Sequence, residues 1–218
     1  MSRRISFCTT CKGRLWQLRQ TYLLNVETAI EEHDDVEFVL VNYMSPDELD
    51  DWVSTRLSRV EGLVYVRLRE PLPWHVCKAK NMGHRATTGD VIVNLDADNF
   101  LGEGYVSRVV AEVGPGNASR LVGHPSVGGR IAVHRDDFFA VGGYDESLAP
   151  MGHEDNDLEA RLVLNGVKVA HWPRGPLPVD NTDEQRAEFC DANFPECARR
   201  SEEISAGNLR AGRIVANS

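Results

Sequence analysis

The sequence of 218 residues has no long apolar run and little positive charge. No stretch approaches the roughly 20 apolar residues that cross a bilayer. The short apolar stretch behind Met1–Arg4 is interrupted by Thr, Lys and Arg, which argues against a signal peptide, so a cytoplasmic protein is expected. The formal net charge of −9 argues against a nucleic-acid-binding surface, because phosphate backbones require clustered Lys and Arg. A single nucleotide ligand is compatible with this charge, since a metal ion and a few local cations can hold it.

Cysteine is sparse and odd in number, with five residues. In a cytosolic chain these thiols are expected to be reduced. Cys8 and Cys11 form a CxxC, the spacing of redox and zinc motifs. A structural zinc usually needs a second close ligand pair, and Cys190 with Cys197 has the wrong spacing. We therefore interpret Cys8 and Cys11 as small thiols that are buried at the end of the first strand.

Strand and helix signals alternate along the first half of the chain, which predicts an α/β fold with a mostly parallel central sheet flanked by helices. Almost wholly apolar runs indicate buried strands, and 3.6-residue periodicity indicates helices. The predicted strands are 4–8, 36–42, 63–67 and 91–95, and the predicted helices are 14–32 and 76–87. Thr9–Gly13 is predicted to be a polar turn. Ser45 and Pro46 predict another helix start, as its cap and its first residue.

The second half is less regular. The predicted strands are 121–124, 129–134 and 167–171, and the predicted helices are 105–113, 135–141 and 155–165. We expect residues 1–181 to form one catalytic domain, with a nucleotide-binding half (1–100) and an acceptor and catalytic half (101–181). Residues 182–218 are expected to form a helical tail packed on the same domain. Covering the site or forming a homodimer are alternative roles for this tail.

Asp96-Ala97-Asp98 directly follows the fourth predicted strand. Ligands of open α/β sheets bind at the carboxyl ends of the strands, and two close carboxylates repel each other unless a cation lies beside them. Mn²⁺ and Mg²⁺ take oxygen ligands and bridge to phosphates. The motif therefore predicts a metal and diphosphate site, while a polar turn that caps the next helix is the alternative interpretation.

Two blocks of the sequence resemble a known family. Segment 77–100, CKAKNMGHRATTGDVIVNLDADNF, resembles the heart of a GT-A-fold glycosyltransferase of the family 2 type, in its helix with a basic residue and Asn, its Gly, its Ala-Thr-Thr-Gly-Asp turn and its DxD. Segment 142–161, with GGYDE and GHEDNDLEAR, resembles the GGYDE and GEDxDLxxR pattern of family 2 enzymes, galactosyltransferases and polypeptide N-acetylgalactosaminyltransferases. With the first strand and its Thr-Thr turn, the resemblance covers about residues 4–181.

The resemblance implies a single Rossmann-like GT-A domain. It also implies a metal-dependent, inverting transfer of a sugar from a nucleotide-diphosphate sugar, with a UDP-sugar as the expected donor. Asp98 matches the family's metal ligand, Asp96 would hold the metal and the ribose or sugar, and His171 resembles the late histidine that completes the metal shell. Asp155 resembles the catalytic base, and Glu154 would face sugar hydroxyls. Helix capping explains Asp155 and Glu154 equally simply, and a buried histidine in the last strand explains His171.

The remaining residues that the resemblance assigns surround the donor: Thr9, Thr10, Asn42, Lys80, Asn81, Gly142 and Gly143. The Thr pair would hold base and ribose, Lys80 and Asn81 would reach the base or the phosphates, and the two glycines would allow close approach of the sugar. A solvated helix position is the alternative for Lys80. At position 42 many members of the family carry Asp or Glu, which reads uracil, whereas this sequence has Asn. An amide can still bind the edge of a base, but the expectation of uridine then rests on Asn42 in place of a carboxylate.

Two further hypotheses belong to other classes. A nucleotidyltransferase that makes a nucleotide sugar shares the Rossmann-like half, but usually carries a Gly-rich signature after its first strand, and Thr9–Arg14 contains one Gly. A non-catalytic nucleotide-sugar-binding module would not need both carboxylate blocks. The acceptor is unidentified, and small metabolites, peptides and glycans are all compatible with the sequence.

Overall fold

A seven-stranded sheet runs through the part of the chain that this computed structural model describes, residues 3–70, 72–124, 127–173 and 175–218. Its strands are β1 (Ile5–Cys11), β2 (Val36–Asn42), β3 (Leu63–Arg67), β4 (Val91–Asn94), β5 (Asn117–Leu121), β6 (Ile131–His134) and β7 (Lys168–Trp172). The order in the sheet is β3-β2-β1-β4-β6-β5-β7. Only β6 is antiparallel, to β4 and β5, and all other pairs are parallel. The prediction of an α/β fold with a mostly parallel sheet is confirmed.

Helices flank this sheet. They are α1 (Leu15–Glu32), α2 (Leu49–Trp52), α3 (Val76–Ala86), α4 (Tyr105–Glu112), α5 (Arg135–Ala140), α6 (Glu154–Leu164), α7 (Asp183–Arg186) and α8 (Phe194–Arg210), and a π-helical turn at Val53–Leu57 continues α2. Within the described ranges, none of the helices combines the length and the apolar character that crossing a bilayer requires.

The two faces of the sheet bury two separate hydrophobic clusters. Val93 in β4 belongs to the cluster that includes Leu18 of α1 and Val109 of α4, whereas its neighbour Ile92 belongs to the cluster that includes Phe138 of α5. This alternation follows from the two-residue period of a strand. Each fully buried aliphatic side chain stabilises the fold by about 1.5–3 kcal/mol. The sheet is therefore a rigid platform for the loops at its carboxyl ends.

The first strand is longer than the sequence predicts. It continues to Cys11, because Thr9–Cys11 pair in register with Leu40–Asn42 of β2. Cys8 and Cys11 are buried free thiols, which confirms their interpretation, although both lie inside the strand. Burial raises the pKa of the Cys11 thiol to about 12, and a buried thiol of this kind is inert.

Ser45 does not begin a helix, contrary to the prediction, and α2 begins at Leu49. The Ser45 hydroxyl accepts a hydrogen bond of 2.7 Å from the Gly13 amide, and Oδ2 of Asp47 accepts one of 3.0 Å from the Leu15 amide. The side chains of this turn therefore accept hydrogen bonds from amides at the start of α1, since the first amides of a helix have no partner inside it.

The fifth strand was predicted at 121–124, and this position is wrong. The strand spans Asn117–Leu121, where each residue pairs in parallel with one of Lys168–Trp172 in β7. Its sequence, NASRL, contains little of the β-branched and aromatic content that marks a strand. Pairing with a distant strand, rather than local propensity, therefore sets this element.

The C-terminal residues contact the rest of the chain along α8. Ser205 donates a hydrogen bond of 2.7 Å to Oδ1 of Asp157 in α6, and the Ser201 hydroxyl accepts one of 3.1 Å from the Ala149 amide. Both serines are buried. These contacts are consistent with a tail packed on the catalytic domain, and the domain boundary at residue 181 stays a prediction.

Candidate active site

A cleft opens at the carboxyl ends of β1 and β4. Its walls come from the loops after these two strands, from the start of α6, from the loop that enters β6 and from the chain after β7. Residues from each of these parts that line the cleft include Thr10, Arg14, Asp96, Asp98, Gly129, Asp155 and Asn181. The two carboxylate blocks of the sequence, more than fifty residues apart, thus meet at one edge of the sheet, as expected for ligand sites of open α/β sheets.

The loop after β4 fixes the first carboxylate block. Asn94, the last residue of β4, donates from its side chain to Oδ1 of Asp96 at 3.0 Å and to the carbonyl oxygen of Gly129 at 2.8 Å. Asn99 donates to Oδ1 of Asp98 at 2.6 Å. Burial, followed by the negative charge of Asp96, raises the pKa of Asp98 to about 6. Two neighbouring carboxylates that repel each other form a site that favours a cation.

The second carboxylate block lies at the beginning of α6. Gly152 and His153 precede this helix with φ values of 85° and 67°, and this left-handed turn directs the chain into the first helical residues, Glu154 and Asp155. Both carboxylates lie at the positive end of the helix dipole. Burial raises the pKa of Asp155 to about 7, and the charge of Lys80 opposes this shift.

Lys80 of α3 connects the two blocks. Its ammonium lies 2.9 Å from Oε1 of Glu154, 2.9 Å from Oδ1 of Asp155 and 3.6 Å from Oδ1 of Asp96. The side chain is 2% exposed, and the ring centroid of Tyr144 lies 5.0 Å from the ammonium. The alternative interpretation of Lys80 as a solvent-exposed helix residue is therefore wrong. Lys80 does not line the cleft either, and its ammonium lies among the acidic groups behind it.

Two cations that line the cleft come from the loop after β1. Arg14 is close enough to Asp98 for each charge to affect the pKa of the other. The Lys12 ammonium lies between two aromatic rings, 5.6 Å from the centroid of Tyr43 and 5.4 Å from that of Phe189. Because they line the same cleft as the acidic groups, these cations can hold an anionic ligand beside a metal ion.

The chain after β7 closes this side of the cleft. The Val179 amide donates to the carbonyl oxygen of Asp98 at 2.8 Å, and the Gln17 side chain donates to the carbonyl oxygen of Asp180 at 3.3 Å. The ring of Phe189 lies so close to Gly13 that a Cβ there would be 2.5 Å from the ring. The segment 175–194 thereby contributes a wall of the cleft.

The structure does not bring Asn42 to the cleft. Its side chain is buried and donates to Oδ1 of Asp50 and to the Tyr65 hydroxyl, both at 2.9 Å. Its oxygen accepts from the Ser45 amide at 2.7 Å. Both amide hydrogens are therefore engaged, and neither is available to a nucleobase in this arrangement.

Asn81 and the two glycines also serve packing in this structure. Asn81 binds the backbone of Tyr144, accepting from its amide at 2.9 Å and donating to its carbonyl at 2.8 Å. A Cβ at Gly142 would overlap the carbonyl oxygen of Ala216, and one at Gly143 would lie 2.7 Å from Oδ1 of Asn81. The close approach predicted for a sugar is made here by the chain itself.

Of the Thr pair, Thr10 lines the cleft and Thr9 is buried beneath it. His171 is not among the residues that line the cleft. Its Nε2 lies 2.7 Å from Oε1 of Glu159, and its side chain is 53% exposed. The alternative interpretation, a buried histidine in the last strand, is also wrong, because the side chain is exposed. Within the described parts of the chain, no cluster of three or more His, Cys, Asp or Glu residues has metal-binding geometry, so a metal here would draw further ligands from substrate and water.

Several residues of the cleft were missed by the sequence reasoning, namely Lys12, Arg14, Arg120, Gly129, Asn181 and Phe189. Lys12 and Arg14 could have been found from the sequence, because basic residues that follow the first strand of such a fold can reach the diphosphate beside a DxD motif. Asn181 and Phe189 carried no such signal, because their place in the cleft depends on how the chain returns after β7.

Comparison with known proteins agrees with this arrangement. Residues 6–134 match the family model of glycosyl transferase family 2, and residues 118–180 match that of the N-terminal domain of galactosyltransferase. The fold and these matches define a glycosyltransferase. Because the first match covers more than half of the chain, this protein belongs to glycosyl transferase family 2. No curated protein matches the chain by sequence.

Solved structures share the fold. The mannosyltransferase PcManGT from Pyrobaculum calidifontis, in complex with GDP-Man and Mn²⁺, aligns with a TM-score of 0.65 and 17% identity over 98% of this chain and 71% of its own. S. aureus TarS 1-349 in complex with UDP-GlcNAc aligns with a TM-score of 0.70 and 12% identity over 94% and 66%. GalNAc-T7 with UDP, GalNAc and Mn²⁺ aligns with a TM-score of 0.64 and 17% identity over 78% and 42%. These similarities confirm the Rossmann-like GT-A fold.

Proposed function

We propose that this protein transfers a sugar from a nucleotide-diphosphate sugar to an acceptor hydroxyl, with a divalent metal ion and with inversion at the anomeric carbon. The observation that carries the proposal is the meeting of Asp96, Asp98 and Asp155 in one cleft. They provide acidic groups for a metal and diphosphate on one side and a carboxylate for the acceptor on the other.

Asp96 and Asp98 fit a divalent cation. Both carry oxygen ligands and both line the cleft. Burial and, after it, the charge of Asp96 raise the pKa of Asp98, so a cation beside these groups would favour their ionised forms. Mn²⁺ and Mg²⁺ are commonly held by one or two carboxylates together with substrate phosphates. Bound here, the ion would stabilise the negative charge of the leaving diphosphate.

Arg14 and Lys12 suit the diphosphate. Arg14 lies beside Asp98, and a guanidinium binds phosphate oxygens in a bidentate manner. Lys12 adds a second charge at the same end of the cleft. Thr10 can donate from its hydroxyl to the ribose or base. A UDP-sugar is the first donor to test, since two of the structural neighbours hold UDP or UDP-GlcNAc.

Asp155 suits the role of base. It lies in the cleft with a pKa raised to about 7 by burial, close to the pH at which a carboxylate both ionises and accepts a proton well. It would take the proton of the acceptor hydroxyl as that oxygen attacks the anomeric carbon. Trp74 and Met151, which also line the cleft, offer apolar surface to a sugar face.

The experiment that tests this proposal is a thermal-shift screen of nucleotide diphosphates and nucleotide sugars with Mn²⁺, followed by transfer assays with the donor that stabilises the protein most. We expect stabilisation by one nucleoside class, release of the nucleotide diphosphate, and a product whose anomeric configuration, read by NMR, is inverted. Stabilisation by no nucleotide, and no release from any donor to acceptors or to water, would contradict it. A retained anomeric configuration would remove the role of Asp155 as base.

A further inference from the structure

We propose that Lys80 is a positioning residue that holds Asp155 with one carboxylate oxygen turned into the cleft, at a fixed distance from Asp96. This inference rests on the proposed function, since it assigns Asp155 the role of base. It differs from a donor-binding role for Lys80, because the ammonium would act through the carboxylates and not on the nucleotide.

The first observation is the number of partners. An ammonium has three hydrogens to donate, and Lys80 faces three carboxylates, those of Glu154, Asp155 and Asp96. The side chain is 2% exposed. Buried charges persist only where they are paired. The two contacts of 2.9 Å fix Glu154 and Asp155 in position, whereas Asp96, at 3.6 Å, is also held by the Asn94 side chain.

The second observation concerns the free oxygens. Lys80 donates a hydrogen bond to Oδ1 of Asp155 and forms an ion pair with Oδ1 of Asp96. The other oxygens of these residues converge above Gly129, where a Cβ would lie 3.2 Å from Oδ2 of Asp155 and would overlap Oδ2 of Asp96. Because Gly129 has no side chain, both Oδ2 atoms can lie against its backbone and close to each other.

The loop at Gly129 is itself fixed. The Asn94 side chain donates to the Gly129 carbonyl at 2.8 Å, and Arg120 donates to the Gly128 carbonyl at 2.8 Å. Because the loop and Lys80 are both held, the two Oδ2 atoms keep a fixed separation. A donor held by Asp96 and an acceptor hydroxyl bound to Asp155 would meet beside these two atoms.

Removal of the ammonium would change this arrangement. Three carboxylates without their cation repel one another, so Asp155 would rotate away from its present position. A displacement of about 1 Å at a reacting group can lower a rate by about 100-fold. The donor contacts proposed for Arg14 and Lys12 would be unaffected, because these side chains are held by the segment after β7 and by aromatic rings and not by Lys80.

The test is the variant Lys80→Met with Lys78→Met as its control, since Lys78 is an exposed lysine of the same helix. Transfer of the sugar to water serves as the reaction where no acceptor is known. We expect Lys80→Met to lower kcat by about 100-fold with donor KM within about threefold, and Lys78→Met to leave both unchanged. In the Asp155→Asn background, Lys80→Met should lower kcat little further, because the group it positions is already lost.

Lys80→Met can fail to fold because it removes a buried charge, so Lys80→Arg, which keeps the charge, is the second variant. We expect it to retain the thermal stability and the donor KM of the wild-type protein and to lower kcat about tenfold, since a planar guanidinium displaces Oδ1 of Asp155. The inference is overturned if Lys80→Met keeps the kcat of Lys78→Met, if it raises donor KM as much as it lowers kcat, or if Lys80→Arg is fully active. If the wild-type protein transfers sugar to neither acceptors nor water, the proposed function fails and this inference falls with it.

Discussion

The guanidinium of Arg14 donates a hydrogen bond of 3.0 Å to Oδ1 of Asn181, 167 residues further along the chain. A second donor nitrogen of Arg14 binds the carbonyl oxygen of Gln185. One side chain thus both faces the DxD loop and holds the segment that closes the cleft.

Replacing Arg14 by Ala should weaken donor binding. The change removes a cation beside Asp98 and both contacts to the closing segment, and we expect donor Kd to rise by about tenfold or more, because a hydrogen bond to a charged group contributes about 1.5–3 kcal/mol. Calorimetric titration with the donor and Mn²⁺ measures this effect. Arg19→Ala is the matched control, since Arg19 is an exposed residue of α1, the helix that follows Arg14, and has an exposed partner. Equal donor Kd for both variants would argue against Arg14 as a donor ligand.

Asp98→Ala should abolish metal-dependent transfer. The variant loses one of two carboxylates that suit the cation, and we expect kcat/KM to fall by about 100-fold or more, with a higher Mn²⁺ concentration at half-maximal rate. Rates measured across a Mn²⁺ titration show the change. Asp136→Ala, at an exposed carboxylate outside the cleft, should behave as the wild-type protein. Full wild-type activity in excess EDTA would falsify the metal role.

Asp155→Asn should lower kcat by about 100-fold to 10,000-fold, the usual contribution of a positioned base, and should leave donor Kd nearly unchanged. Because burial raises the pKa of Asp155 to about 7 and a base acts in its ionised form, the wild-type rate should rise as the pH increases through about 7. Steady-state rates from about pH 5.5 to about 8.5 measure this rise of the rate with pH. If the Asp155→Asn variant shows the same rise, another group is responsible for it.

His84 should make the fold sensitive to acid. Its ring is buried and stacked on Phe138 at 4.8 Å between centroids, and burial lowers its pKa from 6.5 to about 4. Below pH 6.5 the unfolded chain binds a proton that the folded protein does not, so the free energy of unfolding falls by up to about 3 kcal/mol as the pH approaches 4. Urea unfolding at several pH values measures this slope. His84→Gln should reduce it, and an unchanged slope in that variant would contradict the assignment.

Ser205→Ala should destabilise the protein by about 1–3 kcal/mol, because it leaves the buried Oδ1 of Asp157 without this donor. The measurement is the urea midpoint at neutral pH. Ser54→Ala provides the control, since Ser54 is exposed and its hydroxyl binds a backbone carbonyl nearby in the chain. The same midpoint in both variants would show that the contact of α8 with α6 adds little stability.

Two parallel strands could be predicted from sequence because their signal is local. Val36–Asn42 and Leu63–Arg67 are predicted with the bounds that the structure gives them, since continuous apolar runs are typical of parallel strands. Asn117–Leu121 carries no such run, and only its partner strand defines it. Ser45 shows the same limit, because its hydroxyl binds an amide more than thirty residues away instead of capping the helix that follows.

The site was predictable where chain position alone fixes it. Asp96 and Asp98 follow a strand and Asp155 begins a helix, so all three reach the same edge of the sheet without knowledge of any tertiary contact. Asn42 also ends a strand, but its amide is engaged by Asp50 and Tyr65, which a single sequence does not reveal.

The segment 175–194, which forms one wall of the cleft, also determines when the cleft can be completed during synthesis. A ribosome releases the amino-terminal half first, and domains tend to fold in that direction, so β1–β4 can bury their apolar residues while the cleft still lacks a wall. The carbonyl of Asp98 receives its partner only when Val179 has been made. Under the proposed function, a nascent chain that stops short of Val179 would therefore hold the donor poorly, since its cleft would lack this wall.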